Sequence, residues 1–178
     1  ARKYAMEIAL GRIGIEVPDH SGGRAIDWGN EWEFAAIEAY EKQKFCEVHS
    51  QQVFQLHPDY EWVGGTPDGL VGDEGGMDAK CPYNMINHAF NLIDNMQLDD
   101  YELQFQGYMW ITGRQWWDFT SYDPRMEDDA EHLSLHIHRL ERDEEQIQMI
   151  DEKYQDFEQI IQGYVDQLQQ AKSKKIVA

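Results

Sequence analysis

The sequence predicts a mixed α/β fold, a central mixed β-sheet flanked by helices. Three observations predict it. Apolar residues recur at helical spacing at both ends of the chain, while the middle carries short runs of alternating or β-branched and aromatic residues set off by Gly, Pro, Asn and Asp. A further helical pattern interrupts those runs, an order of helices, strands, inserted helix, strands and closing helix that belongs to mixed architectures. The length, 178 residues with a hydrophobic fraction of 42%, suits one domain with a real core, so residues 1–178 are read as a single domain.

Taken in order, residues 1–12 (ARKYAMEIALGR) read as a helix with Tyr4, Ile8 and Ile13 roughly on one side, and glycines with Pro18 give a loop to about residue 25. A second helix is expected from Asp27 as N-cap, with Phe34, Ile37 and an alanine pair forming an apolar face through Tyr40. Residues 51–56 and 60–63 read as short strands around the turn His57-Pro58-Asp59. A hairpin follows: Leu70 and Val71, a turn over 72–76, then Met77 to Lys80. Residues 84–93 are weakly helical, and Asp99 and Asp100 favour the positive end of a helix running to about Ile111. On it Tyr101, Gln104 and Tyr108 share a face. Two strands, 115–122 and 132–140, flank Asp123-Pro124-Arg125, and a long helix closes the chain over about 143–171, its apolar seam running from Ile147 to Leu168.

Composition excludes several classes. No apolar run approaches the roughly 20 residues of a membrane helix, so no membrane role is expected. Cys46 and Cys81 are far apart, without a CxxC pair or secretory signal, which argues for a reducing, intracellular setting rather than a disulfide framework or zinc knuckle. The formal net charge of −19 argues against generic nucleic-acid binding, which draws on clustered Lys and Arg. It does not close that possibility, because a local site can differ from the global sum. The chain starts at Ala1, already in a helical pattern, and we expect an N-terminal segment to be missing.

The stretch GGTPDGLVGDEGGMDAKCPY, residues 64–83, carries the chemistry. Pro67 delivers Asp68 at the start of a strand, and Asp78 and Lys80, two apart on the next, point to one face. If the strands pair, the three groups converge. Two hard carboxylates with a backbone carbonyl and waters suit Mg²⁺ or Mn²⁺, and a lysine beside them can orient an attacking water or offset charge building on a phosphate. The plainer reading is turn chemistry around a solvated Asp–Lys pair.

Further segments resemble one known family. Trp28-Gly29-Asn30-Glu31-Trp32-Glu33, Thr66-Pro67-Asp68-Gly69-Leu70, Asp78-Ala79-Lys80-Cys81-Pro82-Tyr83, Tyr101-Glu102-Leu103-Gln104-Phe105-Gln106, Met109-Trp110-Ile111-Thr112 and Tyr122-Asp123-Pro124-Arg125-Met126 resemble, in order and spacing, the phage lambda exonuclease and YqaJ-type viral recombinase family of the PD-(D/E)xK nucleases. The resemblance covers nearly all of residues 1–145. It implies a restriction-endonuclease-like core and a two-metal phosphodiesterase, with Mg²⁺ as cofactor and Mn²⁺ able to substitute. In that reading Asp68, Asp78 and the Ala79 carbonyl bind metal, Glu33 assists at a second ion or through water, Lys80 acts on the attacking water, and Tyr101 and Gln104 hold that water or the scissile phosphate.

The resemblance further implies processive 5′ to 3′ degradation of linear double-stranded DNA, leaving 3′ single-stranded overhangs. It also implies a homotrimer, a single-strand annealing protein as partner in recombination, and the cytoplasm of a bacterial host. Two departures stand out. Asp78 occupies the place of a glutamate in the lambda enzyme, and the family's arginine and serine segment for the 5′ phosphate would lie upstream of Ala1. An endonuclease or repair nuclease of the same superfamily, and a non-catalytic DNA-binding relative, are the alternatives.

Other features read as structural. His132, His136 and His138 alternate along the expected last strand, where an exposed face is preferred to a zinc site. The adjacent Trp116 and Trp117 face opposite sides of a strand. The closing seam packs on the domain's own sheet or serves an oligomer interface, and Lys172, Lys174 and Lys175 make a basic tail.

Overall fold

The computed structural model describes residues 2–15 and 23–176, with side chains for 4–15, 23–127 and 132–171. The glycine and Pro18 loop falls largely outside these residues, as do the side chains of Lys172, Lys174 and Lys175. Helices α1 (Arg2–Arg12) and α2 (Arg24–Lys44) are followed by five short strands: β1 (Val48–His49), β2 (Gln55–Leu56), β3 (Gly64–Gly65), β4 (Gly69–Val71) and β5 (Gly75–Lys80). Then come α3 (Met85–Asp94), α4 (Leu98–Thr112), β6 (Trp116–Tyr122), a 3-10 turn at Pro124–Met126, α5 (Glu127–Ser134), β7 (Leu135–Glu141) and α6 (Glu144–Ile176).

The main sheet has the order β1-β4-β5-β6-β7. Only β5 and β6 run parallel, because α3 and α4 carry the chain across between them. The other pairs are antiparallel, so the expected mixed sheet is present. Its two faces are covered differently. Ala36, Ile37 and Tyr40 of α2 pack on Val48, Val71, Met77, Ala79 and Tyr122. On the other face Phe105 and Met109 of α4 pack on Leu70, Trp117, Phe119, Leu140 and Ile147. Trp116 belongs to the first face and Trp117 to the second, as their adjacency predicts. The rings lie so close across β5 that a methyl group at Gly75 would overlap Trp116, and one at Gly76 would overlap Trp117. Glycine there is a packing requirement of the central strand.

The chain divides into two compact units: residues 22–147, which hold the sheet, and a second made of the described parts of 1–21 and 148–178. In the second, Ala5 and Ala9 of α1 are buried against Ile161 and Val165 of α6, with Ile8, Ile13, Phe157, Tyr164 and Leu168 around them. Arg12 closes this pair with two hydrogen bonds to Glu158, at 2.6 and 2.8 Å.

Several expectations are corrected. Asp27 does not cap α2. The helix begins three residues earlier, with Gly23 at the capping position and its carbonyl taking the Ile26 and Asp27 N–H groups, which leaves Asp27 in the first turn. Phe34 lies off the buried face and is 55% exposed. The strands expected at 51–56 and 60–63 reduce to Gln55–Leu56 paired with Gly64–Gly65, because backbone room at two glycines sets the pairing where side-chain propensity suggests otherwise. His132 is on α5 and not on a strand with His136 and His138: the Asp123 side chain caps the Pro124 turn, and a run of helix-forming residues continues it. The closing seam does not rest on the sheet throughout; Ile147 does, whereas Phe157 to Leu168 pack on α1.

Candidate active site

The hairpin of β4 and β5 assembles the centre. Its register pairs Gly69 with Met77, which brings Asp68 opposite Asp78 one step further along. Each residue then holds the other's strand. The Asp68 N–H donates to Asp78 Oδ1 at 3.3 Å, and the Ala79 N–H donates to Asp68 Oδ2 at 2.7 Å. Met77 and Ala79 point into the α2 core, so Asp78 and Lys80 point to the α4 side. There Lys80 Nζ donates to Asp78 Oδ2 at 2.5 Å and lies over the Tyr101 ring, 4.7 Å from its centroid. Asp78 is only 1% exposed.

Burying this much charge has electrostatic consequences. Burial, then the neighbouring Asp78 carboxylate and Glu33, push Asp68 up to about 8, against the opposing pull of Lys80 and the Ala79 amide. Burial also raises Asp78, although Lys80 holds it back. For Lys80 burial works downward, but Asp78 and Asp68 outweigh it and the ammonium stays charged. Burial, with Glu33 and Asp68 nearby, pushes the Cys81 thiol up to about 12, which keeps it neutral and unreactive.

The other predicted residues are placed as follows. Glu33, midway along α2, bears on Asp68, Asp78 and Cys81 through its charge, while its carboxylate takes the Gln52 amide at 2.6 Å. Tyr101 lies directly under Lys80. Gln104 points to the wall of the site, where it donates to Tyr108 Oη at 3.0 Å, and Tyr108 in turn donates to the Thr66 carbonyl at 3.2 Å. Burial keeps Tyr108 protonated, and its ring packs on Trp117 at 5.2 Å. Tyr108 therefore ties α4 to the Pro67-Asp68 turn. Its spacing from Tyr101 and Gln104 put it on the right face; Gln52, in a featureless polar run, carried no signal at all.

The donor set can be tested against a divalent cation. Among the described residues no three His, Cys, Asp or Glu side chains form a ready-made cage. What is present is a pair of buried carboxylates whose mutual repulsion one lysine does not relieve, with Glu33 adding to it. That surplus of hard negative oxygen fits an ion that uses one or two carboxylates and keeps several waters, as Mg²⁺ does. Of the histidines on the sheet, His136 is engaged elsewhere, paired with Asn95 at 2.5 Å.

A further buried acid, away from the centre, was not anticipated. Asp118, on the α2 face of β6, accepts from Arg139 at 2.8 and 2.9 Å and from Tyr40 Oη at 2.8 Å. Trp116 stacks under that arginine at 3.4 Å. Fully paired and on the opposite face from Asp78, Asp118 is part of the scaffold.

The family model for the YqaJ-like viral recombinase domain matches residues 3–115, most of the chain and every residue of the centre just described. The chain belongs to this family. Solved structures agree on the fold of this YqaJ-like domain. An alkaline exonuclease from Laribacter hongkongensis, LHK-Exo, superposes with a TM-score of 0.82 at 27% identity, covering 97% of this chain and 85% of that one. Its complex with dAMP gives 0.84 at 30% identity over the same shares. A phage-related exonuclease from Haemophilus somnus 129PT shares the fold at a TM-score of 0.73 and 21% identity, covering 96% of this chain and 83% of that one. No curated protein sequence matches the chain significantly.

Proposed function

We propose that this YqaJ-like domain is a Mg²⁺-dependent exodeoxyribonuclease acting on the ends of linear double-stranded DNA. The observation that carries the reading is the clasp between β4 and β5, which holds Asp68 and Asp78 together with Lys80 Nζ on the same carboxylate. The relatives support the substrate class: LHK-Exo is an alkaline exonuclease crystallised with dAMP, and a deoxynucleoside monophosphate is the form of product that exonucleolytic cleavage of DNA releases.

Asp68 and Asp78 would hold the ion, with the Ala79 carbonyl beside them and Glu33 serving a second ion directly or through water. Bound there, Mg²⁺ supplies Lewis acidity and makes water a stronger nucleophile at neutral pH. Lys80 stays protonated, so it acts as a hydrogen-bond donor and counter-charge toward the attacked phosphate and its water. Tyr101 keeps the ammonium in place from below. Gln104 and Tyr108 form the wall against which a phosphate or water would be held. Degradation from the 5′ end, 3′ overhangs, a homotrimer and an annealing partner accompany this reading through the lambda-type resemblance.

Incubation with Mg²⁺ and 5′-phosphorylated linear duplex should release mononucleotides, while covalently closed circular DNA of the same sequence stays intact. Cleavage of the closed circle at a similar rate would show an endonuclease instead.

A further inference from the structure

Between α2 and the centre the chain forms a small ribbon, β2 paired with β3, whose two sides differ sharply. The inner side is anchored on α4. Gly65 lies against the Tyr108 ring, and His57 packs at a tilt on Tyr60 and Trp110 with centroids 4.7 and 4.5 Å away. A bond from the His57 N–H to the Val63 carbonyl at 2.8 Å closes the loop. Apolar groups beside it are exposed: Phe54 is 60% exposed, Leu56 55% and Trp62, in the connecting turn, 62%. The Phe54 ring lies so close over Gly64 that any side chain at 64 would displace it. A rigid ribbon with outward aromatic rings is a built surface and not a frayed loop.

Its two ends are fastened to the centre. Gln52, just before the ribbon, donates to Glu33 at 2.6 Å, and Thr66, just after it, takes the Tyr108 hydroxyl and leads into Pro67 and Asp68. Whatever lies on the ribbon therefore lies beside the carboxylates. The local charge decides what that can be. Between Phe45 and Gly113 the sequence holds a single Lys or Arg, Lys80, and it sits on Asp78. Arg114 and Arg125 reach this stretch from outside it but are turned onto its carbonyls at Gly72, Gly75, Pro82 and Tyr83, and the ribbon itself, residues 52–66, holds no Lys or Arg, so the usual cationic source of affinity is missing on it. Base stacking on aromatic rings needs no such charge and is strong on a single strand, whose bases are open.

We propose that the exposed side of the β2–β3 ribbon, with Phe54 and Trp62 as its rings, is a stacking site for unpaired bases of single-stranded DNA next to the Asp68, Asp78 and Lys80 centre. The assignment rests on the nuclease reading and specifies how a frayed strand is kept beside that centre by a ribbon that carries no basic residue. Trp62 and Phe54 hold bases; they take no part in the hydrolytic step.

The test uses the whole chain. Binding of a short fluorescent oligothymidylate is measured by anisotropy in an Asp68→Asn background, which prevents cleavage, with Phe54→Ala or Trp62→Ala added. Each is expected to weaken binding by about 5- to 150-fold, the ratio that corresponds to stacking of about 1–3 kcal/mol per base. The loss should be the same at low and high salt, since no counterion is released. Phe54→Tyr and Trp62→Phe, which keep a ring, should restore it, and both positions are exposed enough that far-UV circular dichroism should be unchanged. With Asp68 intact, cleavage of single-stranded oligothymidylate should show a raised KM in both alanine variants. Unchanged oligothymidylate binding in both would overturn the proposal, as would variants that alter only the mass of the protein in solution, which would make the ribbon a protein interface. A wild-type chain that binds single strands through these rings yet cleaves no DNA would leave the stacking site standing and remove the nuclease reading.

Discussion

Asp68 is held against the ionisation its chemistry needs, and its chemistry can be separated from its stability. In the metal-free protein its folded proton affinity is raised to about 8 from an ordinary 3.8. As pH rises between those values the unfolded chain gives up this proton first, so ionisation of Asp68 costs folding free energy across that window. Asp68→Asn keeps an acceptor for the Ala79 N–H but not the charge. It should abolish cleavage while raising the melting temperature of the metal-free protein by a few degrees near pH 8, on the scale of about 2–4 °C per kcal/mol for a chain of this size. Near pH 5 the difference should shrink, and thermal melts at both pH values check it. The same proton competes with a cation, so the affinity for Mg²⁺ measured by calorimetry should climb as pH rises toward 8. The Asp68, Asp78 and Lys80 set was legible because a Pro-Asp turn and an Asp-x-Lys strand state their geometry locally. Gln52 on Glu33 and Tyr108 on Thr66 were not, since each depends on a fold contact between distant segments.

At the scale of elements, the centre depends on how tightly β5 sits between its neighbours. Gly76 faces the Trp117 ring with no room for a methyl group. Gly76→Ala should destabilise the protein by about 1–3 kcal/mol, as overpacking does, and lower activity with it; a urea titration reads the first. Helix α3 is locked in another way. Leu133's carbonyl can only accept, so His88 donates to it from Nε2 and accepts from Ser121 Oγ at Nδ1, both at 2.8 Å. Burial lowers the folded proton affinity of His88, so its contribution is present above about pH 6.5 and is lost as pH falls through the folded value. Melting temperature should drop on acidification through that range, and His88→Gln should flatten the drop. The long helices and the β4–β5 hairpin were readable from period and turn chemistry. The ribbon of Gln55–Leu56 with Gly64–Gly65 was not, because glycine strands are chosen by what packs over them. His132 was misplaced for a related reason: alternation with His136 and His138 imitates a strand, while the capped Pro124 turn starts a helix.

For the whole molecule, the formal charge of −19 first argued against DNA. Lys80, Arg125, Arg139 and Arg142 are each paired with a carboxylate of the same chain, and the centre still keeps Asp68 and Asp78 against one lysine, so a bound cation rather than a basic surface would balance the charge there. Fold class was fully legible, since it needs only the order of periodic segments. The allocation of the closing seam was not: its spacing is uniform, but Ile147 belongs to the sheet core and Ile161 to the pair with α1. The central claim concerns Lys80 and its two aspartates. Single-turnover cleavage of a 5′-phosphorylated linear duplex by Lys80→Ala, with Mg²⁺ binding measured on the same preparation, tests it most directly. The account predicts a folded variant that still binds the ion and cleaves about 10²–10³-fold more slowly. Cleavage at the wild-type rate would contradict it.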